Sequence, residues 1–421
     1  MTDVRWSVPR LALALLGVVV AVGLVYGLAW PTSSDFASTL DRCPLLFCDF
    51  AEVYYPMGEE VRRALGPVPG YYYTPTFAVF LGVLGASPFA TAVVAWGVLL
   101  AVSALAFLVL PLGLLEHGRG PLAVAYGALL VTAHPVLHEL AWGQVGTATL
   151  ALVLVALLAD GRGRGAIAGA ALALAIAVKF YAGIFGVWFL VRRRWAAAGW
   201  CALWTGILLL VLPVLALGWT EAWAFWAEVG HRLRIDGPSN TINSQFAPRV
   251  VARWLLAGAH PDGIFALAPD EGMESELHAF GPGAVLAMRG VTLLVLAASA
   301  RVALLYARRL GDRAALPVFA IVACTIPFLV RTSWPHYFTF LPLCQVVVVD
   351  VWLRGRSRQP RALGALALTA LSIGLSSVGF FALQGDWRSM GFFGWLLVAD
   401  VAVLGALLLS VPPPSAVGVQ R

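Results

Sequence analysis

Apolar runs long enough to cross a bilayer recur along nearly the whole of this 421-residue chain, and nothing else restricts its fold so sharply. A hydrocarbon core ~30 Å thick takes about 20 helical residues to span. Composition agrees: 60% of residues are hydrophobic, only 12% are charged, and the mean hydropathy is +0.85. A soluble domain carries roughly 25% charged residues. The expectation is an all-α polytopic integral membrane protein.

Arg5 and Arg10 precede the first run, Leu11 to Trp30, in the manner of a signal peptide. The run is longer than an h-region of ~7–15 residues and ends in Leu28-Ala29-Trp30-Pro31, without a small-x-small cleavage site. It is read as an uncleaved first transmembrane helix. The formal charge of +6 does not indicate nucleic acid: 27 of the 28 basic residues are arginine, Lys179 is the one lysine, and no basic helix is interleaved with exposed aromatics. No nucleic-acid partner is expected.

The arginines report topology instead. They cluster at Arg5/Arg10, Arg119, Arg162/Arg164, Arg192–Arg194, Arg308/Arg309/Arg313 and Arg354/Arg356/Arg358/Arg361. Placing these in the cytoplasm gives about twelve spans: 11–30, 88–115, 121–138, 145–159, 165–178, 180–191, 197–218, 284–306, 314–330, 337–353, 362–384 and 391–411. Both termini are then cytoplasmic. Residues 1–421 form a single membrane domain, with large extracytoplasmic loops at 31–87 and 219–283. Of the 22 acidic residues, 15 fall in the outer segments 31–75, 219–283 and 385–390. Acids do not set orientation, so this segregation independently puts the polar chemistry outside. Residues 74–86 are apolar but too short to cross and read as a surface helix. Residues 165–191 leave and return within 27 residues, so they form a short hairpin with Lys179 at its apex.

P-loop, CxxC and HExxH motifs are absent, and the 42 glycines fall within apolar helices, where small residues let helices approach. In the first outer loop Asp49 begins "DFAEVYY", which carries Tyr54, and Tyr71-Tyr72-Tyr73 closes the loop. A carboxylate flanked by rings suits general-base activation of a hydroxyl, with the rings against a sugar face; the other reading is an N-cap on helix 50–65. Cys43 and Cys48 are either a disulfide beside Asp49 or two unpaired thiols. Lys179 is either a compact phosphate-binding charge or a snorkelling side chain. In "RTSWPHYFTF", Arg331 and His336 either neutralise a leaving phosphate or belong to an interfacial belt. "HPVLHELAWGQVGT" brings His134, His138, Glu139, Trp142 and Gln144 to an outer helix end. His134 and His138 have metal-compatible spacing, but Pro135 between them and the lack of a third ligand argue against a metal. In "NTINSQFAPR", Asn243, Gln245 and Arg249 either bind hydroxyls or phosphate or cap the loop.

Taken in order, "DFAEVYYPMGEEVRRAL", "YYYTPTFAVFLGVLGA", "LAWGQVGTATLALVLVALL", "AIAGAALALAIAVKFYAGIFGVWFLVRRRW" and "WPHYFTFLP" resemble glycosyltransferase family 87, polyprenol-phosphate-mannose-dependent mannosyltransferases of the GT-C membrane fold class. The stretches cover about half the chain. The resemblance implies a GT-C-like bundle, Asp49 as catalytic base, and a donor pocket containing Lys179 and His336 with Gln144 beside them. It departs from the family at Thr74-Pro75-Thr76, where a Pro-Pro pair is usual, and at Gly146, where Asn often follows the Gly-Gln. The expected reaction moves a hexose, mannose by the resemblance, from a polyprenyl-phosphate sugar to a glycolipid or glycan hydroxyl, by single displacement with inversion. The expected location is the outer face of the plasma membrane, with Arg331 assisting at the phosphate and Tyr54, Tyr73, Asn243, Gln245 and Arg249 as substrate contacts. No cofactor is predicted, and a divalent metal is left open. A transporter or flippase of a lipid-linked saccharide is the alternative; it would more naturally carry charges near the bilayer midplane between repeated halves.

Overall fold

The computed structural model describes residues 47–63, 66–68, 71–117, 120–232, 244–257, 282–330, 332–355, 360–384 and 393–412. Among these the chain is helical, with no strand and one isolated bridge, Ala133 to Ser377. The first expected span, 11–30, lies outside the described residues. A π-helical turn, Phe50–Tyr54, leads into α1 (Tyr55–Arg62), followed by α2 (Pro75–Leu84), α3 (Phe89–Val109), α4 (Pro121–Thr132), α5 (His134–Trp142), α6 (Gly146–Gly161) and α7 (Gly165–Val178). A 3₁₀ segment, Phe180–Gly186, joins α7 to α8 (Val187–Val191); α9 (Trp195–Gly206), α10 (Leu212–Leu217), α11 (Trp219–Arg232), α12 (Ala247–Ala257) and α13 (Pro282–Leu310) follow. The remainder is α14 (Ala315–Ala323), α15 (Ile326–Leu329), a 3₁₀ turn Pro335–Phe338, α16 (Leu341–Gly355), α17 (Pro360–Ser376), α18 (Val378–Gln384) and α19 (Trp395–Leu409).

Four helical stretches of the described residues are long and apolar enough to cross a membrane: Phe89–Gly113, Trp195–Leu217, Arg289–Leu329 and Pro335–Arg354. Helices α5 and α6 make a fifth if counted as one span bent by 113°. The physics is plain in α3. Ala92, Trp96, Leu100, Ser103 and Phe107 form its buried stripe, while Val94, Val98, Val102, Leu105 and Val109 are exposed at the same helical spacing. Two apolar stripes on opposite faces suit a helix with protein on one side and lipid on the other.

Two expected spans prove to be broken. The span read as 121–138 ends at Thr132; Ala133 is extended, and Pro135 sits in the first turn of α5. Proline has no N–H to continue a preceding helix and fits the opening turn of the next. The span read as 362–384 breaks between α17 and α18, at Ser377. The two breaks meet in the Ala133–Ser377 bridge, so backbone groups freed by one are used by the other.

Three helices share a polarity that matters for the site. Helix α6 begins two residues after Gln144 and ends before Arg162; α7 starts after Arg164 and ends at Lys179; α16 follows His336 and carries Arg354 in its last turn. At 1.5 Å per residue these helices separate their two ends by about 20–24 Å. The arginine end is tied together by Arg194–Asp160 (3.5 Å), Arg313–Glu116 (3.1 Å), Arg354–Glu116 (3.3 Å) and Trp188 Nε1 donating to Asp160 (2.9 Å).

Helices α1 and α2 approach closely enough to require glycine. A Cβ on Gly58 would lie 2.2 Å from the Leu81 carbonyl oxygen, and one on Gly85 would lie 2.4 Å from the Gly58 carbonyl carbon. Gly58→Ala should therefore destabilise by about 1–3 kcal/mol, as overpacking does, and lower Tm in detergent. Gly199→Ala, whose Cβ meets nothing within 4 Å, should not; equal Tm for both variants would contradict the close approach.

Candidate active site

The site is built on the bend between α5 and α6. Helix α5 ends at Gly143 in the left-handed region (φ 70°), a common helix stop that favours glycine. Glycine is also demanded by space, because a Cβ there would lie 2.6 Å from Cβ of Phe47. Phe47 donates its backbone N–H to Ala141 O (3.0 Å), and the Trp96 indole donates to Gly143 O (2.9 Å). These bonds clamp the segment before α1 onto the bend. Two residues after Phe47, Asp49 reaches the side chain of Gln144.

Gln144 organises what surrounds it. Its Nε2 donates to Asp49 Oδ2, while its Oε1 accepts from Tyr73 OH (2.7 Å), Tyr54 OH (3.1 Å) and Lys179 Nζ (3.3 Å). Three donors converge on one oxygen, so the amide has a single satisfiable orientation, with its NH₂ toward the carboxylate. The hydroxyls of Tyr54 and Tyr73 are also 2.5 Å apart. Burial pushes both phenols well above their ordinary range, so they stay protonated and act as donors. Asp49 occupies the N-cap position but makes no side-chain cap bond; the capping alternative fails, and its carboxylate is committed to Gln144. Burial raises Asp49 to about 6, against the lowering effects of the Gln144 bond and Lys179.

Behind this row stands an aromatic wall: Tyr54 is edge-on to Tyr73 (5.2 Å) and Phe77 (5.6 Å), and Phe50 stacks on Trp96 (4.9 Å). Thr74 couples the wall to Lys179. Its side chain caps α2 by accepting from Phe77 N (3.0 Å) and its hydroxyl donates to Ala177 O, two residues before the lysine. Lys179 itself sits in extended backbone (φ −134°, ψ 117°) where α7 stops, is buried, and lies 4.5 Å over the Tyr337 ring. Snorkelling to water does not describe it.

His336 is buried in the Pro335–Phe338 turn, its ring 4.9 Å from Tyr337 and 5.9 Å from His138. The turn is held from α12's side: Gln245 N donates to Ser333 O (2.7 Å), while Gln245 Oε1 accepts from Leu397 N (3.4 Å). Gln245 and Arg249 are buried near the start of α12, and Gln245 joins the 333 turn to α19. Cys48 is disulfide-bonded, and Cys201, Cys324 and Cys344 are free. Cys43, Asn243 and Arg331 lie outside the described residues. Among the described residues no three His, Cys, Asp or Glu side chains gather to hold a metal.

The sequence reading passed over two members of the cluster. Tyr337 faces Lys179, and Glu139, noted only beside a possible metal pair, lies fully buried with its Oε1 accepting the Thr147 N–H. A carboxylate within an apolar helix was the available signal for Glu139.

The sequence model of Glycosyltransferase family 87 matches residues 71–333, well over half the chain. The chain belongs to this family. No curated protein and no solved structure matches it. The membrane glycosyltransferase thus has Tyr73, Gln144 and Lys179 inside the matched stretch, with His336 just after its end and Asp49 some way before its start.

The Asp49 carboxyl should titrate with a midpoint near 6 in infrared difference spectra of wild type against Asp49→Asn. Gln144→Leu, by removing a bond made to the charged form, should move that midpoint upward. A midpoint near 4 that is insensitive to residue 144 would contradict the geometry.

Proposed function

We propose that this glycosyltransferase moves a hexose from a polyprenyl-phosphate sugar to an acceptor hydroxyl, with Asp49 as the general base. The observation that carries the reading is the shared amide: Asp49 and Lys179 are both bonded to Gln144. A proton acceptor and a phosphate-binding cation are thereby held a few ångströms apart, as a displacement at an anomeric carbon requires. Asp49 takes the proton of the acceptor hydroxyl as its oxygen bonds to the anomeric carbon. The bond from that carbon to the phosphate oxygen breaks, and polyprenyl phosphate leaves with its charge on Lys179, assisted by His336 and Arg331. Asp49 acts as the base and not as a nucleophile, so the displacement is single and inverts the anomeric centre. Tyr54 and Tyr73 back the base and face the sugar; Asn243, Gln245 and Arg249 serve the acceptor side.

The polarity of α6, α7 and α16 supports an outward-facing site. In this reading the arginine ends are cytoplasmic, following the positive-inside rule; Asp49 and Lys179, about 20 Å away, then lie toward the extracytoplasmic side of the plasma membrane, and both termini are cytoplasmic. Nucleotide sugars are cytoplasmic, so an outer site favours a lipid-carried donor. The twelve-span GT-C-like bundle and the Cys43–Cys48 disulfide belong to the same reading, the latter because Cys48 is bonded. Mannose is the sugar favoured by family membership. The acceptor is a glycolipid or glycan.

Purified protein given a radiolabelled polyprenyl-phosphate sugar and a glycolipid acceptor should show transfer. Asp49→Asn should lower it by roughly 10²–10⁴-fold, the usual worth of a general base. Only the ionised carboxylate accepts a proton, so the wild-type rate should fall as pH drops through about 6. Unchanged transfer by Asp49→Asn would remove Asp49 from the mechanism. No transfer by wild type across several sugars and acceptors would favour a transporter of lipid-linked saccharides.

A further inference from the structure

We propose that Glu139 is a positioning residue that staples the two sides of the α5–α6 bend together and so holds Gln144 between Asp49 and Lys179. The use of that placement in sugar transfer rests on the reaction proposed above; the staple itself does not. A missing helix cap is the starting point. The first four N–H groups of a helix have no partner within it. A Ser, Thr, Asp or Asn at the N-cap ordinarily accepts from the second or third helical residue. Helix α6 begins at Gly146, and its N-cap is Val145, which has no side-chain oxygen and makes no cap bond. Val145 is buried in one cluster with Phe50, Tyr54, Tyr73 and Trp96, so this position is given to packing behind the base.

The missing acceptor comes from across the bend. Glu139 lies on the last turn of α5 and is fully buried. Its side-chain Oε1 accepts the N–H of Thr147, the second residue of α6. Its main-chain carbonyl accepts the N–H of Gln144 (3.0 Å), while Gly143 N donates to Leu140 O (3.2 Å). These two backbone bonds are the Schellman pattern of a helix that ends on a left-handed glycine. One residue therefore ties the end of α5 to Gln144 through its backbone and to α6 through its side chain. Between Gly143 and Thr147 lie three residues: Gln144, held at its N–H, Val145, held by the aromatic wall, and Gly146. The third is shaped to the carboxylate, since a Cβ there would lie 2.7 Å from Glu139 Oε2 and 3.3 Å from Oε1. A buried N–H left without its acceptor is costly, so the angle of the bend, and with it the reach of Gln144, is coupled to this one bond.

The test reads the Asp49 carboxyl by infrared difference, each chain against its own Asp49→Asn form. Glu139→Leu removes the acceptor for Thr147 N–H. It should raise the Asp49 midpoint by about half a pH unit or more, as losing the Gln144 bond does. It should also lower kcat/KM for transfer roughly 10²-fold, the order of loss that misplacement brings. In a Gln144→Leu background the same substitution should move the midpoint by less than about 0.2 unit, because residues that act through one another do not add. Glu139→Gln keeps an oxygen for Thr147 N–H and should restore most of both losses. Gly146→Ala keeps the glutamate but crowds it from its seat, so it should raise the midpoint too, and it carries the test if Glu139→Leu fails to fold. Loss of a nearby negative charge would act with the opposite sign and lower the Asp49 midpoint. A fall in Glu139→Leu, no change in Glu139→Leu and Gly146→Ala, or an equal rise with and without Gln144 would each overturn the staple. An upward shift in a wild type and variant pair that transfers no sugar would sustain the staple and sink the transfer reaction instead.

Discussion

One side-chain amide, at the bend between α5 and α6, ties the candidate site together. Gln144 gives its NH₂ to Asp49 and takes three donors on its oxygen. A glutamine in water would rotate freely between two orientations; here one of them would face an NH₂ toward two phenols and an ammonium. The bend makes this possible, since a continuous helix would carry residue 144 past the site on its axis. The sharp 113° turn depends in turn on Gly143, whose left-handed backbone and missing side chain admit Phe47. Thus a backbone constraint fixes an amide, and the amide fixes a base and a cation relative to each other.

Much of this was legible in the residues. Asp49, Lys179 and His336 stand out because charge and imidazole are rare in so apolar a chain, and the hairpin length alone put Lys179 at a turn, where the structure has it at the end of α7. The arginine clusters marked one end of the helices and the polar motifs the other. What could not be read was pairing. Nothing in "WGQVGT" says that the glutamine bonds to a carboxylate 95 positions earlier. The N-cap alternative for Asp49 also needed coordinates, because local sequence supports a cap equally well. Helix breaks at Ala133 and Ser377 were hidden by hydropathy, which averages over a break that each half repairs for the other.

Thr74 and Gly146 bear on the surroundings of this cluster from two sides. Thr74 supplies a hydroxyl that a proline would lack, and uses it to cap α2 and to reach Ala177 beside the lysine. Gly146 leaves the space that the Glu139 carboxylate fills. Thr74, at the start of α2, thus acts on the backbone beside Lys179, and Gly146, at the start of α6, on the seat of Glu139.

The decisive test is whether Gln144 and Asp49 act as one unit. A double-mutant cycle on kcat/KM for sugar transfer, using Asp49→Asn, Gln144→Leu and the pair, measures their coupling directly. If the amide works by setting the base, adding Gln144→Leu to Asp49→Asn costs little more, within about 3-fold of the Asp49 variant alone. Losses that multiply in the double variant would show that the two residues act independently, and would contradict the shared amide as the organising contact.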